Sequence, residues 1–146
     1  MNVFGMMDRQ AEGAMARILI IDDEPDVTRP LAEWLRMHKH DVLIAHSAED
    51  GFRQAEQQRP DLIMLDLCLP DQSGLRLGRR LQTSTAAASV PIVMLSALTK
   101  EYREQGEQLG IKAFLSKPYD LRQVLDTVSA LLAARSTERA GNDTAA

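Results

Sequence analysis

Four short apolar runs in this chain each end in side chains that phosphoryl chemistry can use. Asp22 and Asp23 follow "ILII", Asp66 follows "LIML", Ser96 follows "IVML" and Lys117 follows "AFLS". Three carboxylates, a hydroxyl and a lysine suit a pocket that holds a divalent cation and a phosphoryl group. Two like charges about 4 Å apart cost on the order of 4 kcal/mol at an effective dielectric near 20. Gathered carboxylates must therefore raise the pKa of one member or recruit a cation. Mg2+ suits such a set, because it takes oxygen ligands, keeps several waters and needs only one or two carboxylates. Asp66 stands before Leu67 and the turn "LPDQSG", so its oxygen can face a crevice and act as a nucleophile, giving an aspartyl phosphate. In such a transfer Mg2+ and Lys117 would neutralise the phosphoryl oxygens, and Ser96 would supply a hydrogen bond.

These residues can meet only if their strands lie side by side. Strands are predicted at Arg17 to Ile21, Val42 to Ala45, Leu62 to Leu65, Ile92 to Leu95 and Ala113 to Leu115. The first, third and fourth are continuously apolar, the mark of strands buried on both faces. Between them, Val27, Leu31, Trp34 and Leu35 recur at helical spacing, as do Ala48, Phe52 and Ala55 behind the cap Ser47. Gly74 to Leu81 and Thr99 to Leu109 are the third and fourth helices, the latter ended by Gly110. Asp120 caps the last, whose stripe is Leu121, Val124, Leu125, Val128, Leu131 and Leu132. Pro30 is awkward within the first helix, since it removes a backbone donor. Strict alternation predicts an α/β, flavodoxin-like doubly wound fold: a five-stranded parallel sheet of order 2-1-3-4-5 with helices on both faces. The carboxyl ends of its strands share one edge, where open α/β sheets place their sites.

At 146 residues and 45% hydrophobic content the chain has room for one packed domain. That domain is bounded here at 16–134, with 1–15 a flexible extension and 135–146 a disordered tail or linker stub. A net charge of -4 argues against direct nucleic-acid binding, which needs Lys and Arg to neutralise phosphates. The one cysteine, Cys68, excludes an internal disulfide, and no Cys/His cluster has zinc-like spacing. With no signal-peptide pattern at residues 1–15 and no membrane-length apolar run, the expected compartment is the cytoplasm. His38, His40 and His46 are expected on exposed loops and a helix end, without ligand partners.

The segments "ILIIDDEPD", "PDLIMLDLCLPDQSGL", "PIVMLSA" and "AFLSKPYD" resemble the signature segments of the receiver domain of bacterial two-component response regulators, over about residues 17 to 133. The resemblance implies that Asp66 accepts a phosphoryl group from a histidine kinase or histidine phosphotransfer protein. It implies that Asp23 and Asp66 bind Mg2+ through their side chains, Cys68 through its backbone carbonyl and Asp22 through water. It makes Ser96 the switch hydroxyl and Phe114 the switch aromatic, with a cis Lys117-Pro118 bond. The domain would be a signalling module that assists its own phosphorylation and dephosphorylation rather than an enzyme. Its output to a downstream protein effector would be read on the face of the fourth helix, fifth strand and fifth helix, with a phosphorylation-dependent homodimer among the forms the family allows. Tyr119 and Leu121 stand where a kinase would touch the last helix, although packing explains Leu121 as well.

Departures from the family pattern also inform. Leu98 and Cys68 occupy positions that in this family influence hydrolysis of the aspartyl phosphate, and Leu98 cannot orient an attacking water. A phosphorylated state that is not unusually short-lived is therefore expected. Two rival readings stay open: a receiver that is part of a longer DNA-binding regulator or hybrid kinase, and an aspartyl-phosphate phosphatase. The phosphatase is disfavoured because Cys68 stands where such enzymes carry a second aspartate. Flavin binding is disfavoured because "DDEPD" would repel a phosphate.

Overall fold

The computed structural model describes residues 15–95 and 100–145, with side chains through Glu138. The element order is β1 (Arg17–Ile21), α1 (Pro25–Met37), β2 (Asp41–Ala45), α2 (Ala48–Gln58), β3 (Leu62–Asp66), α3 (Gly74–Thr83), β4 (Ile92–Leu95), α4 (Lys100–Gln108), β5 (Ala113–Leu115) and α5 (Leu121–Ala145). All strand pairs are parallel, in the order β2-β1-β3-β4-β5. The sheet is therefore the doubly wound one that the alternation predicts.

Burial follows from the two-sided sheet. Every residue of β3 and β4 is buried, and side chains alternate between faces along each strand. Leu19, Ile21, Ile63, Leu65 and Met94 join one apolar cluster with Leu77 and Leu81 of α3. Ile18, Ile20, Met64 and Val93 join the other, with Leu31 and Leu35 of α1 and Val124 and Val128 of α5. The indole N–H of Trp34 donates to the Leu121 carbonyl at 3.0 Å, linking α1 to the start of α5.

Local signals fix most helix ends. Ser47 Oγ accepts from the Asp50 N–H, and Ser73 Oγ from the Arg76 N–H, the N-cap pattern of a short hydroxyl side chain. Asp120 Oδ1 accepts from the Arg122 N–H at 2.9 Å. Gly110 adopts φ of 82° just after α4, where a side chain would be strained. Pro30 lies inside α1, which continues unbroken past it.

Two expectations are corrected. Residues 135–145, expected in a disordered tail or linker stub, instead continue α5 through Ala145. The half-buried Arg135 donates to the Asp61 carbonyl at 2.8 Å and lies 3.4 Å from its carboxylate, a tertiary anchor that composition does not reveal. His40 is not exposed: it is 8% accessible, and its Nδ1 accepts the Ala16 N–H at 3.4 Å. Burial, and then the proximity of His38, lower its pKa. His38 is half-buried and donates through Nδ1–H to the Trp34 carbonyl at 2.9 Å. Thr99, expected to open the fourth helix, and residues 1–14 lie outside the described residues.

Candidate active site at the carboxyl edge of the sheet

β1 ends at Ile21, and the next residue is drawn into the sheet: the Asp22 N–H donates to the Ala45 carbonyl at 3.0 Å. This places the Asp22 side chain at the sheet edge with 0% exposure. Its Oδ1 accepts the Glu24 N–H at 3.0 Å, turning the chain into α1, and its carbonyl accepts from His46 Nδ1–H at 3.1 Å. Asp66 closes β3, in register with Leu95 of β4, and is 3% exposed. The Cys68 N–H reaches Asp66 Oδ1 at 3.4 Å.

Lys117 follows β5, and its bond to Pro118 is cis. The ammonium lies 2.9 Å from Asp22 Oδ2, 3.1 Å from Glu24 Oε1 and 3.4 Å from Asp66 Oδ2. Apart from that ammonium, the buried Asp22 Oδ2 meets no hydrogen-bond donor among the described residues. Asp22, Asp23, Glu24 and Asp66 each present a carboxylate oxygen, and these oxygens lie within 4.8 Å of one another. Four carboxylates face one ammonium, so negative charge is in excess.

The electrostatics follow from that geometry. Burial raises the Asp66 pKa from 3.8 to about 6; Asp22 adds to the rise and Lys117 opposes it. Burial works against the charge of Lys117, but its hydrogen bond to Asp22 and the nearby charges of Asp22 and Asp66 hold it protonated above the usual lysine range. The donor set is all oxygen, anionic and partly solvent-facing, which fits a hard divalent cation such as Mg2+ rather than a soft metal.

The structure thus brings together Asp22, Asp23, Asp66 and Lys117. Ser96 lies outside the described residues. Cys68 is exposed and pairs through its backbone with Ser73 in an isolated antiparallel bridge. Phe114 is half-buried, and its ring fills the space a side chain on Gly106 would need, 2.7 Å from that Cβ position. The Arg103 guanidinium lies over the ring, 5.4 Å from its centroid. The Tyr119 ring packs with the α1 and α5 core cluster, and its hydroxyl is buried.

Two contributors escape a reading of the sequence. Glu24 reads there as a solvated neighbour of the aspartates, yet it grips Lys117. Its position one residue after Asp23 was the available signal. Gly74 reads only as a helix start. A side chain on it would lie 2.2 Å from the Asp66 carbonyl oxygen, because its N–H folds back onto the Leu67 carbonyl at 2.6 Å. The backbone that carries Asp66 is therefore packed directly against the first residue of α3.

Known proteins are similar to this chain in sequence and fold. The sequence matches the family model of the response regulator receiver domain over residues 18–129. It is 33% identical over 120 residues to Protein PilH of Pseudomonas aeruginosa, covering 82% of this chain and 99% of that protein. It is 40% identical over 126 residues to the DNA-binding dual master transcriptional regulator RpaA of Synechocystis sp., covering 86% of this chain and 52% of RpaA. The chain thus spans nearly all of PilH but about half of RpaA. The receiver domain of sensor histidine kinase PA1611 from Pseudomonas aeruginosa, solved with a magnesium ion in its active-site cleft, superposes with a TM-score of 0.75 at 26% identity, covering 82% of this chain and 99% of that one. With its five-stranded fold, its acidic edge and these relatives, the chain belongs to the response regulator receiver domain family.

Proposed function

We propose that this domain is a phosphorylation-dependent protein-interaction switch, with Asp66 as the phosphoacceptor. The observation that carries the reading is the Lys117 ammonium 3.4 Å from Asp66 Oδ2 within a cluster of four carboxylates. Asp23 and Asp66 would hold Mg2+ with their side chains, Cys68 with its carbonyl and Asp22 through water; the bound ion supplies positive charge to the phosphoryl oxygens. A carboxylate oxygen of Asp66 attacks the phosphorus of a phosphohistidine on a histidine kinase or phosphotransfer protein. A P–O bond forms, the P–N bond breaks, and the imidazole leaves with the electron pair.

Lys117 stays cationic through this step, because Asp22 and Glu24 keep their grip on it. It can therefore pair with a phosphoryl oxygen while remaining anchored. Ser96 is assigned the hydrogen bond to the new phosphoryl group, and Phe114 the conformational readout on the α4, β5 and α5 face. Such a charge-assisted bond is worth roughly 1.5 to 3 kcal/mol, and burial of an aromatic side chain about as much. Together these are of the order needed to shift a two-state equilibrium decisively, about 5.5 kcal/mol. The partners are a phosphohistidine donor and a downstream protein surface, in the cytoplasm. No helix among the described residues is long and apolar enough to cross a membrane.

The test is incubation with Mg2+ and acetyl phosphate, followed by intact mass measurement. The expected result is the mass of one added phosphoryl group, lost in the Asp66→Asn variant and in excess EDTA. A folded protein that gains no mass under these conditions would refute the phosphoacceptor role.

A further inference from the structure

Asp71 lies at mid-loop between β3 and α3 and is exposed, yet both its carboxylate oxygens are engaged. Oδ1 accepts the Ala48 N–H at 2.8 Å, and Oδ2 accepts the Glu49 N–H at 3.0 Å. These are the first two residues of α2, whose N–H groups have no partner within the helix. The helix already has its own cap, because Ser47 Oγ takes the Asp50 N–H and the Ser47 carbonyl takes the Gly51 N–H. A carboxylate delivered from a distant loop therefore does more than start α2. It fastens the loop.

That loop belongs to the phosphoacceptor. Its base is closed by the Gly74 N–H on the Leu67 carbonyl and by the Cys68 and Ser73 bridge, and the Cys68 N–H reaches Asp66. On the other side of the site, His46 donates from Nδ1 to the Asp22 carbonyl at 3.1 Å. Residues 46–49 thus form a crossbar. One end holds the backbone of Asp22, and the other holds the loop that follows Asp66.

We infer that Asp71 is a positioning residue for the cation site, acting with His46 through this crossbar to fix the spacing between the Asp22 and Asp23 turn and the Asp66 to Gly74 loop. The inference rests on the metal-dependent phosphoacceptor reading. Mg2+ demands near-ideal octahedral geometry and tolerates little misplacement of its ligands. Groups that orient metal ligands typically change affinity by about 10- to 100-fold when removed.

The experiment is calorimetric titration of the full chain with Mg2+, alongside the Mg2+ dependence of acetyl phosphate labelling. Asp71→Ala is expected to raise the Mg2+ dissociation constant by about tenfold, with the labelling rate recovering at saturating Mg2+. Asp71→Asn, which retains one acceptor oxygen, should fall between the two. Arg135→Ala removes the anchor of α5 to Asp61, just before β3 and away from the crossbar, so it should lower the melting temperature yet leave the Mg2+ constant unchanged. An Asp71→Ala protein that melts earlier but binds Mg2+ as tightly as the native chain would overturn the inference and leave Asp71 a helix cap. A native chain that binds Mg2+ but takes no phosphoryl group would overturn the phosphoacceptor reading while the calorimetric comparison still judges Asp71. A native chain that binds no Mg2+ would overturn both.

Discussion

Replacing Asp66, the proposed phosphoacceptor, should stabilise the metal-free domain. Asp66 is 3% exposed, and burial together with the Asp22 charge lifts its carboxyl from 3.8 to about 6. A carboxyl whose pKa is higher in the folded than in the unfolded state binds more protons when folded, so stability falls as pH rises through that window and is flat above it. At roughly 1.4 kcal/mol per pH unit, the full penalty near pH 7.5 is about 3 kcal/mol. Asp66→Asn keeps the side-chain shape and removes the charge, while Lys117 retains Asp22 at 2.9 Å and Glu24 at 3.1 Å. In EDTA at pH 7.5 the variant should therefore be more stable by up to about 3 kcal/mol, or roughly 10 °C in melting temperature for a domain of this size. The advantage should shrink toward zero as pH approaches 4. Urea denaturation followed by circular dichroism across this pH range measures it. Added Mg2+ should reverse the order, because a cation that binds only the folded state stabilises it and the variant lacks one carboxylate of the acidic cluster. A variant no more stable than the native chain in EDTA at pH 7.5 would refute the account of Asp66 as a buried, repelled carboxylate.

Four further outcomes are expected. Gly74→Ala would push a methyl group to within 2.2 Å of the Asp66 carbonyl oxygen, costing roughly 1 to 3 kcal/mol of stability by urea denaturation and slowing acetyl phosphate labelling. Gly106→Ala would meet the Phe114 ring at 2.7 Å; a crystal structure should show the ring displaced, and an effector assay should show a weakened response to phosphorylation. Glu24→Gln should cost less than about 1 kcal/mol, because its side chain is 58% exposed, yet lower Mg2+ affinity by calorimetry through the lost negative charge. His40 has a folded pKa below its ordinary 6.5, so the unfolded chain binds the extra proton and stability is lost as pH falls through 6.5. That loss opposes the Asp66 effect, so it should be read in an Asp66→Asn background, where His40→Gln should flatten the slope between pH 7 and 5.5.

Strand order, helix faces and three carboxylates at one sheet edge were legible because local rules generate them. Continuous apolarity in "LIML" and "IVML" marks strands buried on both faces, and alternation with helices leaves a parallel sheet as the economical topology. Once β1 and β3 are neighbours, Asp22 and Asp66 must share an edge. The resemblance then supplied a role for Phe114 that spacing alone could not.

What the tertiary structure decided are contacts between residues remote in sequence. Asp71 reads as an ordinary turn residue, and only folding sets its two oxygens on the N–H groups of Ala48 and Glu49. Glu24 reads as a solvated acid until Lys117 arrives from β5. Gly106 sits inside α4, and the Phe114 ring fills the space of its missing side chain. His40 and the end of α5 were misread for the same reason, since burial against Ala16 and the anchor to Asp61 leave no trace in composition. Periodicity reports which face of an element meets the core. Partners drawn from loops and chain ends depend on how those elements stack, and that is fixed only when the whole chain has folded.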